Sequence, residues 1–259
     1  MNAMRNASPV LTRYQVTSEK LRAPVRIAVI SDLHNCRFGE NQSALIEAVR
    51  VAAPDFVAFT GDAFHLRPSE PHTLFALTAL ASAYPCYFIM GNHERQTHAL
   101  LTIVQEVRAS GVTLLSGDCA TVRANGQTLA LCGLSDFSSR DPAATRAQLD
   151  AIAAKRDPRL FSALLAHRPE RFRLYLPHGF DVILSGHTHG GQCRVPFARN
   201  GLYAPDQGWF PRYAGGMHTF GAQTLIISRG LSYRPYWAPR LGNPPEIVVV
   251  DLAPANRTT

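Results

Sequence analysis

Lysine is almost missing from this chain: Lys20 and Lys155 stand against 24 arginines, so guanidinium groups carry nearly all the positive charge behind a net +7. Genomic base composition alone can produce an arginine excess, so its placement matters more than its size. Cysteine is sparse and odd in number. Cys36, Cys86, Cys119, Cys132 and Cys193 show no CxxC spacing, which argues against a disulfide framework or a zinc ribbon and favours a reducing compartment. No apolar h-region precedes Arg26, so no signal peptide is expected. Residues 73–90 are uncharged, but Thr78, Ser82, Pro85, Tyr84 and Tyr87 interrupt them, and a core helix followed by a strand fits better than a membrane span. Internal repeats and low-complexity tracts are absent from the sequence.

What remains is the composition of a globular protein, with 46% hydrophobic and 17% charged residues over 259 positions. That length suits a single α/β domain, residues 1–259 with a core over about 26–251, and the stretches 1–8 and 254–259 are expected to be loose. Arg26–Ser31, Asp55–Thr60 and Cys86–Met90 are short continuous apolar runs. Ala44–Val51 and Leu74–Ala81 between them have helical periodicity. The pattern is βαβαβ, with parallel strands buried on both faces. A helix follows at Leu100–Val107, then a hairpin of Ala120–Arg123 and Thr128–Leu131 around Asn125-Gly126. Beyond a helix at Pro142–Lys155, strands are expected at Ser162–Ala166, Asp181–Leu184, Gln223–Ser228 and Glu246–Asp251. Pro244 and Pro245 suggest that the last is an edge strand.

One event recurs along the chain: an apolar strand stops and metal-type side chains follow at once. Asp32 and His34 follow the first run, Gly61-Asp62 the second, and Gly91-Asn92-His93-Glu94 the third. His167 follows Ser162–Ala166, and Gly186-His187-Thr188-His189 follows Asp181–Leu184. Each cluster alone reads as a cap or a turn. Together, all at strand ends, they predict one convergent site, because ligands of open α/β sheets gather at the carboxyl ends of strands. The glycines at 186, 190 and 191 let the backbone turn and approach other groups closely.

The ordered set DxH, GD, GNHE, a lone His and GHTH resembles the calcineurin-like metallophosphoesterase superfamily over about residues 26–251. The resemblance implies a four-layer αββα sandwich and a hydrolase with two divalent metal ions about 3.5–4 Å apart. One ion would take Asp32, His34 and His189 and the other Asn92, His167 and His187, with Asp62 bridging them. Carboxylate, amide oxygen and imidazole suit Mn²⁺ first, with Zn²⁺ and Fe²⁺ as alternatives. A bridging hydroxide would attack phosphorus, with His93 as the catalytic residue that stabilises the transition state or protonates the leaving oxygen. Glu94 would orient a metal-binding group, and Cys36 is expected only to pack.

Departures narrow the branch. Purple acid phosphatases place a ligating Tyr where this chain has His65. Ser/Thr protein phosphatases resemble GDxVDRG where it has Gly61-Asp62-Ala-Phe-His-Leu-Arg67. Gly190-Gly191-Gln192, Ser228-Arg229-Gly230-Leu231 and Arg240 through Ile247 look like a phosphodiesterase-type subgroup that often works at membranes. That subgroup includes UDP-diacylglucosamine pyrophosphohydrolase-like enzymes, and many members carry an N-terminal membrane segment not seen in this sequence. The expected substrate is a phosphodiester or pyrophosphate. The alternatives are a nucleotide phosphodiesterase or nuclease and, in a different class, a non-catalytic binding scaffold. Six arginines and one acid, Asp206, lie between Arg194 and Arg240, interleaved with Tyr203, Trp209, Phe210, Tyr213, Tyr233, Tyr236 and Trp237. This segment is expected to border the site and to suit an amphipathic anion, peripheral contact with an anionic membrane, or nucleic acid. The expected location is cytoplasmic, either free or peripheral at the inner face of the membrane.

Overall fold

The structure, a computed structural model, describes residues 8–65, 71–136, 141–194, 200–233 and 240–255. In chain order its elements are β1 (Val10–Ser18), β2 (Val25–Ile30), α1 (Ser43–Ala52), β3 (Phe56–Phe59), α2 (Pro71–Ala83), β4 (Cys86–Phe88), α3 (Asn92–Gln96) and α4 (Leu100–Ala109). Next come β5 (Thr113–Leu114), β6 (Asp118–Ala124), β7 (Gln127–Gly133), α5 (Pro142–Lys155), β8 (Phe161–Leu165), α6 (Phe172–Tyr175) and β9 (Val182–Ser185). The chain continues with β10 (Tyr203–Ala204), β11 (Gly208–Trp209), β12 (Gly216–Phe220), β13 (Gln223–Ile227) and β14 (Glu246–Pro254).

Two six-stranded sheets carry the fold, ordered β1-β14-β2-β3-β4-β5 and β12-β13-β9-β8-β7-β6. From β2 to β5 and from β13 to β7 the neighbours are parallel, which leaves no face for water and explains the continuous apolar runs. Ile27, Val29, Phe56, Ala58, Val248 and Val250 of the first sheet meet Leu129, Leu131, Phe161, Ala163, Val182 and Leu184 of the second in a buried layer between them. On the outer face of the first sheet Ala28, Ile30, Val57 and Phe59 pack against Leu45 and Val49 of α1, Leu77 and Leu80 of α2, and Ile103 and Val107 of α4. On the outer face of the second, Leu164, Ile183 and Leu225 pack against Leu149 and Ile152 of α5 and Phe172 of α6. This is the four-layer αββα sandwich. Full burial of each Leu, Ile or Phe contributes about 1.5–3 kcal/mol, so these layers dominate the favourable side of folding.

Local signals behave as their chemistry requires. α1 stops where Ala53 turns left-handed at φ 49°, just ahead of Pro54. Asn125 (φ 49°) and Gly126 (φ 74°) both take the positive φ that the two-residue turn between β6 and β7 needs. Residues 73–90 divide into α2 and β4, and no helix among the described residues is long and apolar enough to cross a membrane.

One strand is added and three expectations are corrected. Val10–Ser18 forms a strand that the sequence does not announce, because its residues are exposed or half-exposed and only Val16 is buried, leaving no apolar run to see. Its parallel register with β14 runs from Val10↔Glu246 to Ser18↔Pro254, so Pro254 is docked rather than loose, and Ala255 N donates to Ser18 O at 3.0 Å. The same pairing makes β14 an internal strand, not an edge; its prolines precede it, and Glu246 is fully buried between Arg229 and Thr12. Finally, a disulfide joins Cys119 to Cys132. Counting and spacing cannot reveal it, because the hairpin register around Asn125-Gly126 is what sets the two residues opposite each other.

Candidate metal centre

All five clusters fall at the carboxyl ends of parallel strands, three from the first sheet (β2, β3, β4) and two from the second (β8, β9). The loops are stitched together by their backbones. Asp32 N donates to Gly61 O at 3.0 Å, His34 N to Asp62 O at 3.0 Å, and Gly186 N to His167 O at 3.1 Å. The His187 amide crosses between the sheets to both oxygens of Asp32, at 3.1 and 3.0 Å. Asp32 (φ 51°), His34 (φ 46°), Asp62 (φ 55°), His187 (φ 71°) and His189 (φ 49°) all lie in the left-handed region. Backbone strain of this kind costs about 1–3 kcal/mol per residue and persists where the surroundings over-determine it, typically at functional sites.

Gly186 shows why the loop after β9 needs glycine. A Cβ there would lie 1.8 Å from Ser31 Oγ and 2.5 Å from Asp32 Oδ2. Gly91 is equally constrained, since a Cβ would come within 2.2 Å of Asp62 Oδ1. Gly186→Ala is therefore expected to destabilise the fold by about 1–3 kcal/mol, the range for overpacking. Thermal melts of Gly186→Ala with and without Ser31→Ala check this: part of the loss should return in the double variant, and an unchanged midpoint in the single one would remove the steric argument.

The predicted residues assemble into two groups. Asp32, His34 and His189 form one and Asp62, His167 and His187 the other; within each, one ligand atom per residue lies within 4.8 Å of the rest. Asn92 joins the second group, its Oδ1 3.1 Å from His167 Nε2. Asp62 stands between them, with Oδ2 3.6 Å from His34 Nε2 and 3.3 Å from His167 Nε2. All seven candidate ligands are thus brought together. His93 sits at the rim: its amide donates to Asp62 Oδ1 at 2.9 Å, and its Nε2 is 4.0 Å from Asp62 Oδ2. Glu94 accepts from the amides of Asp62 (3.0 Å), Phe64 (2.9 Å) and Gly91 (2.9 Å), pinning the two loops that carry Asp62 and Asn92. Cys36 is buried, with Sγ 3.7 Å from Ser232 Oγ, and packs as expected. His65 places Nδ1 3.4 Å from His34 Nδ1 and stacks on His93 at a centroid distance of 5.0 Å.

The donor chemistry fits cations. His167 Nδ1–H donates to Thr60 O at 2.8 Å, which leaves a lone pair on Nε2. That atom lies 3.2 Å from His187 Nδ1 and also faces Asn92 Oδ1 and Asp62 Oδ2, so four acceptor atoms converge on one small volume. Such a cluster is unfavourable unless a cation or a proton sits within it. Without a metal a proton suffices: burial opposes it, but Asp62 and Asp32 push His167 up to about 10. In the other group His34 Nε2 and His189 Nδ1 are buried with no hydrogen-bond partner among the described residues. Burial lowers His34, and burial with Arg240 holds His189 down at about 3, so both rings keep a lone pair to offer.

Two residues that sequence reasoning did not single out belong to the centre. Arg168, the residue after His167, is buried and holds Asp136 Oδ1 at 2.8 Å while also contacting Asp206. Asp206, at the tip of the β10–β11 hairpin, reaches His187 Nε2 at 2.8 Å. A cavity of about 270 Å³ opens over the centre, lined by Asp62, Asn92, His93, Gln96, Arg168, His187, His189, Pro205 and Asp206. The Arg- and aromatic-rich segment thus borders the site through its hairpin, where Tyr203, Trp209 and Phe210 are exposed. Arg199, Arg234, Tyr236 and Trp237 lie outside the described residues.

Comparison with known proteins agrees with this geometry. The calcineurin-like phosphoesterase family model matches residues 25–191. Phosphodiesterase YaeI of Escherichia coli (strain K12) is 29% identical over 240 residues, covering 89% of this chain and 83% of that protein. An uncharacterized metallophosphoesterase of Helicobacter pylori (strain J99 / ATCC 700824) is 28% identical over 257 residues, covering 97% of this chain but 66% of the relative. Among solved structures, TT1561 of Thermus thermophilus superposes with a TM-score of 0.56 over 81% of this chain and 91% of that one; at 12% identity the likeness concerns the fold.

Proposed function

The chain belongs to the calcineurin-like phosphoesterase family, a family of metal-dependent hydrolases, and from that premise we propose that it cleaves phosphodiester or pyrophosphate bonds at a centre of two divalent cations. The observation that carries this reading is the convergence of His167 Nε2, His187 Nδ1, Asn92 Oδ1 and Asp62 Oδ2 beside a second group of Asp32, His34 and His189. Asp32, His34 and His189 would hold one cation, Asn92, His167 and His187 the other, and Asp62 both. The donors are carboxylate, amide and imidazole with no thiolate, which favours Mn²⁺ and admits Zn²⁺ or Fe²⁺. When bound, the cations supply acidified water and neutralise charge on the phosphoryl group. His93 lies at the cavity wall, where a developing negative charge or a leaving oxygen comes within its reach. Glu94 fixes the loops that aim Asp62 and Asn92. We read residues 1–259 as one domain with a core over about 26–251, since β14 closes the first sheet between β1 and β2.

The diester preference is supported by a relative named as a phosphodiesterase. Exposed Tyr203, Trp209 and Phe210, with Arg212 beside them, favour an amphipathic substrate presented at an anionic surface, because arginine pairs with phosphate and aromatic rings settle at an interface. The test is a hydrolysis screen with Mn²⁺ across aryl diesters, monoesters, nucleotides, single-stranded DNA and UDP-sugar lipids. Diesters or pyrophosphates are expected to exceed monoesters by at least about 10-fold, a difference of roughly 1.4 kcal/mol in transition-state binding. Preference for monoesters overturns the reading, and preference for DNA replaces the lipid substrate with a nucleic acid.

A further inference from the structure

We propose that Asp206 is a positioning residue that sets the hydrogen of His187 on Nε2, so that Nδ1 keeps its lone pair for the cation held with Asn92 and His167. The inference rests on the proposed reading that His187 is a metal ligand, and it adds a control that the family motifs do not contain, from a hairpin outside them.

Three donors and acceptors meet at one point. Asp206 Oδ2 lies 2.8 Å from His187 Nε2 and also contacts Arg168 Nη1, while Arg168 Nη1 is 3.1 Å from His187 Nε2. A guanidinium only donates and a carboxylate only accepts. A bare Nε2 would therefore meet the carboxylate with two lone pairs opposed; a hydrogen on Nε2 gives Asp206 Oδ2 two donors, Nε2–H and Nη1–H. The neutral ring carries a single hydrogen, so Nδ1 is bare and faces His167 Nε2 at 3.2 Å.

Without Asp206, Arg168 Nη1 at 3.1 Å still faces His187 Nε2, while the Glu170 carboxylate, 3.8 Å from Nη1, makes no hydrogen bond to the ring among the described residues. Arg168 is fixed independently: its Nε donates to Asp136 Oδ1 at 2.8 Å, and its carbonyl accepts from Tyr175 Oη at 2.8 Å. Once the carboxylate is gone, this guanidinium is the strongest donor near His187 Nε2. It draws the lone pair to Nε2 and sends the hydrogen to Nδ1, where it blocks the cation. The arrangement makes Asp206 the acid that turns Arg168 from a competitor of His187 into its companion. Asp206 is also the single acid between Arg194 and Arg240, held at φ 58° at the tip of a hairpin whose two strands have two residues each. Gln207 ties that tip down by accepting from Tyr213 N at 3.0 Å and donating to Tyr213 O at 2.8 Å.

The experiment is calorimetric titration of the metal-stripped full chain with Mn²⁺, alongside thermal melts. Wild type is expected to bind two ions. Asp206→Ala should weaken one of the two steps by about 10-fold to 100-fold, the usual effect of losing a group that orients a metal-bound histidine, and leave the other step and the melting point unchanged. Asp206→Glu, which restores the acceptor, should recover most of the affinity, and Asp206→Asn, which keeps the shape without the charge, should fall between. Two unchanged steps in Asp206→Ala overturn the inference while leaving the two-cation reading intact. Loss of both steps together with a lowered melting point also overturns it, since Asp206 then merely supports the fold, as does failure of Asp206→Glu to recover. Fewer than two ions in wild type overturns the two-cation reading and this inference with it.

Discussion

Asp62→Asn is expected to lower phosphodiester hydrolysis by at least about 10³-fold, the scale set by losing several kcal/mol of metal-derived stabilisation. Asp62 Oδ2 approaches both His34 Nε2 (3.6 Å) and His167 Nε2 (3.3 Å), so a single carboxylate oxygen faces imidazoles of both ligand groups. The amide keeps the shape of the side chain but has one good acceptor and no charge, so the two cations of the proposed centre would share a neutral group. The architecture should survive. Asp62 N and O are engaged through Glu94 and His34, contacts of the backbone that the substitution does not touch. Mn²⁺ content measured beside activity and the melting point checks the argument: activity and bound metal should fall together while the fold holds. Full activity with two ions per chain removes Asp62 from the bridging position.

The same residues show what a sequence can carry. Asp32, Asp62, Asn92, His167 and His187 are legible because each follows an apolar run, and a buried parallel strand fixes where its carboxyl end must lie. The glycine at 186 is legible as a demand for close approach, and the structure identifies what approaches, namely Ser31 and Asp32. Arg168 and Asp206 escape notice for a different reason. Their roles depend on a hairpin folding back over the loop after β8, and nothing in local spacing encodes a contact between positions so placed. Each leaves a faint signal: an arginine directly after a predicted ligand, and one acid alone in a basic segment. The strand Val10–Ser18 and the Cys119–Cys132 disulfide are illegible on similar grounds, since each is defined by its partner strand rather than by its own composition.

His93→Ala is expected to lower kcat by about 10²-fold or more with both metals retained, the scale for losing a general acid or an electrostatic donor. The position explains the separation of the two effects. His93 supports the loop that carries Asp62 through its backbone amide, which donates to Asp62 Oδ1 at 2.9 Å and which alanine keeps; its ring packs edge-on against His34 at a centroid distance of 4.4 Å. What it gives the cavity is the imidazole, whose Nε2 is 4.0 Å from Asp62 Oδ2 and whose ring forms part of the cavity wall. Truncation therefore removes a group from the reacting side without emptying the ligand set. Leaving-group dependence separates the two roles open to it. A nitrophenolate leaves without needing a proton, so a general acid predicts that the loss shrinks for nitrophenyl diesters and is largest for alkyl ones. An equal loss across both series assigns His93 to stabilising charge on the phosphoryl group instead. Metal loss in parallel with activity would place the imidazole among the ligands, contrary to the proposed centre, in which seven other side chains supply them.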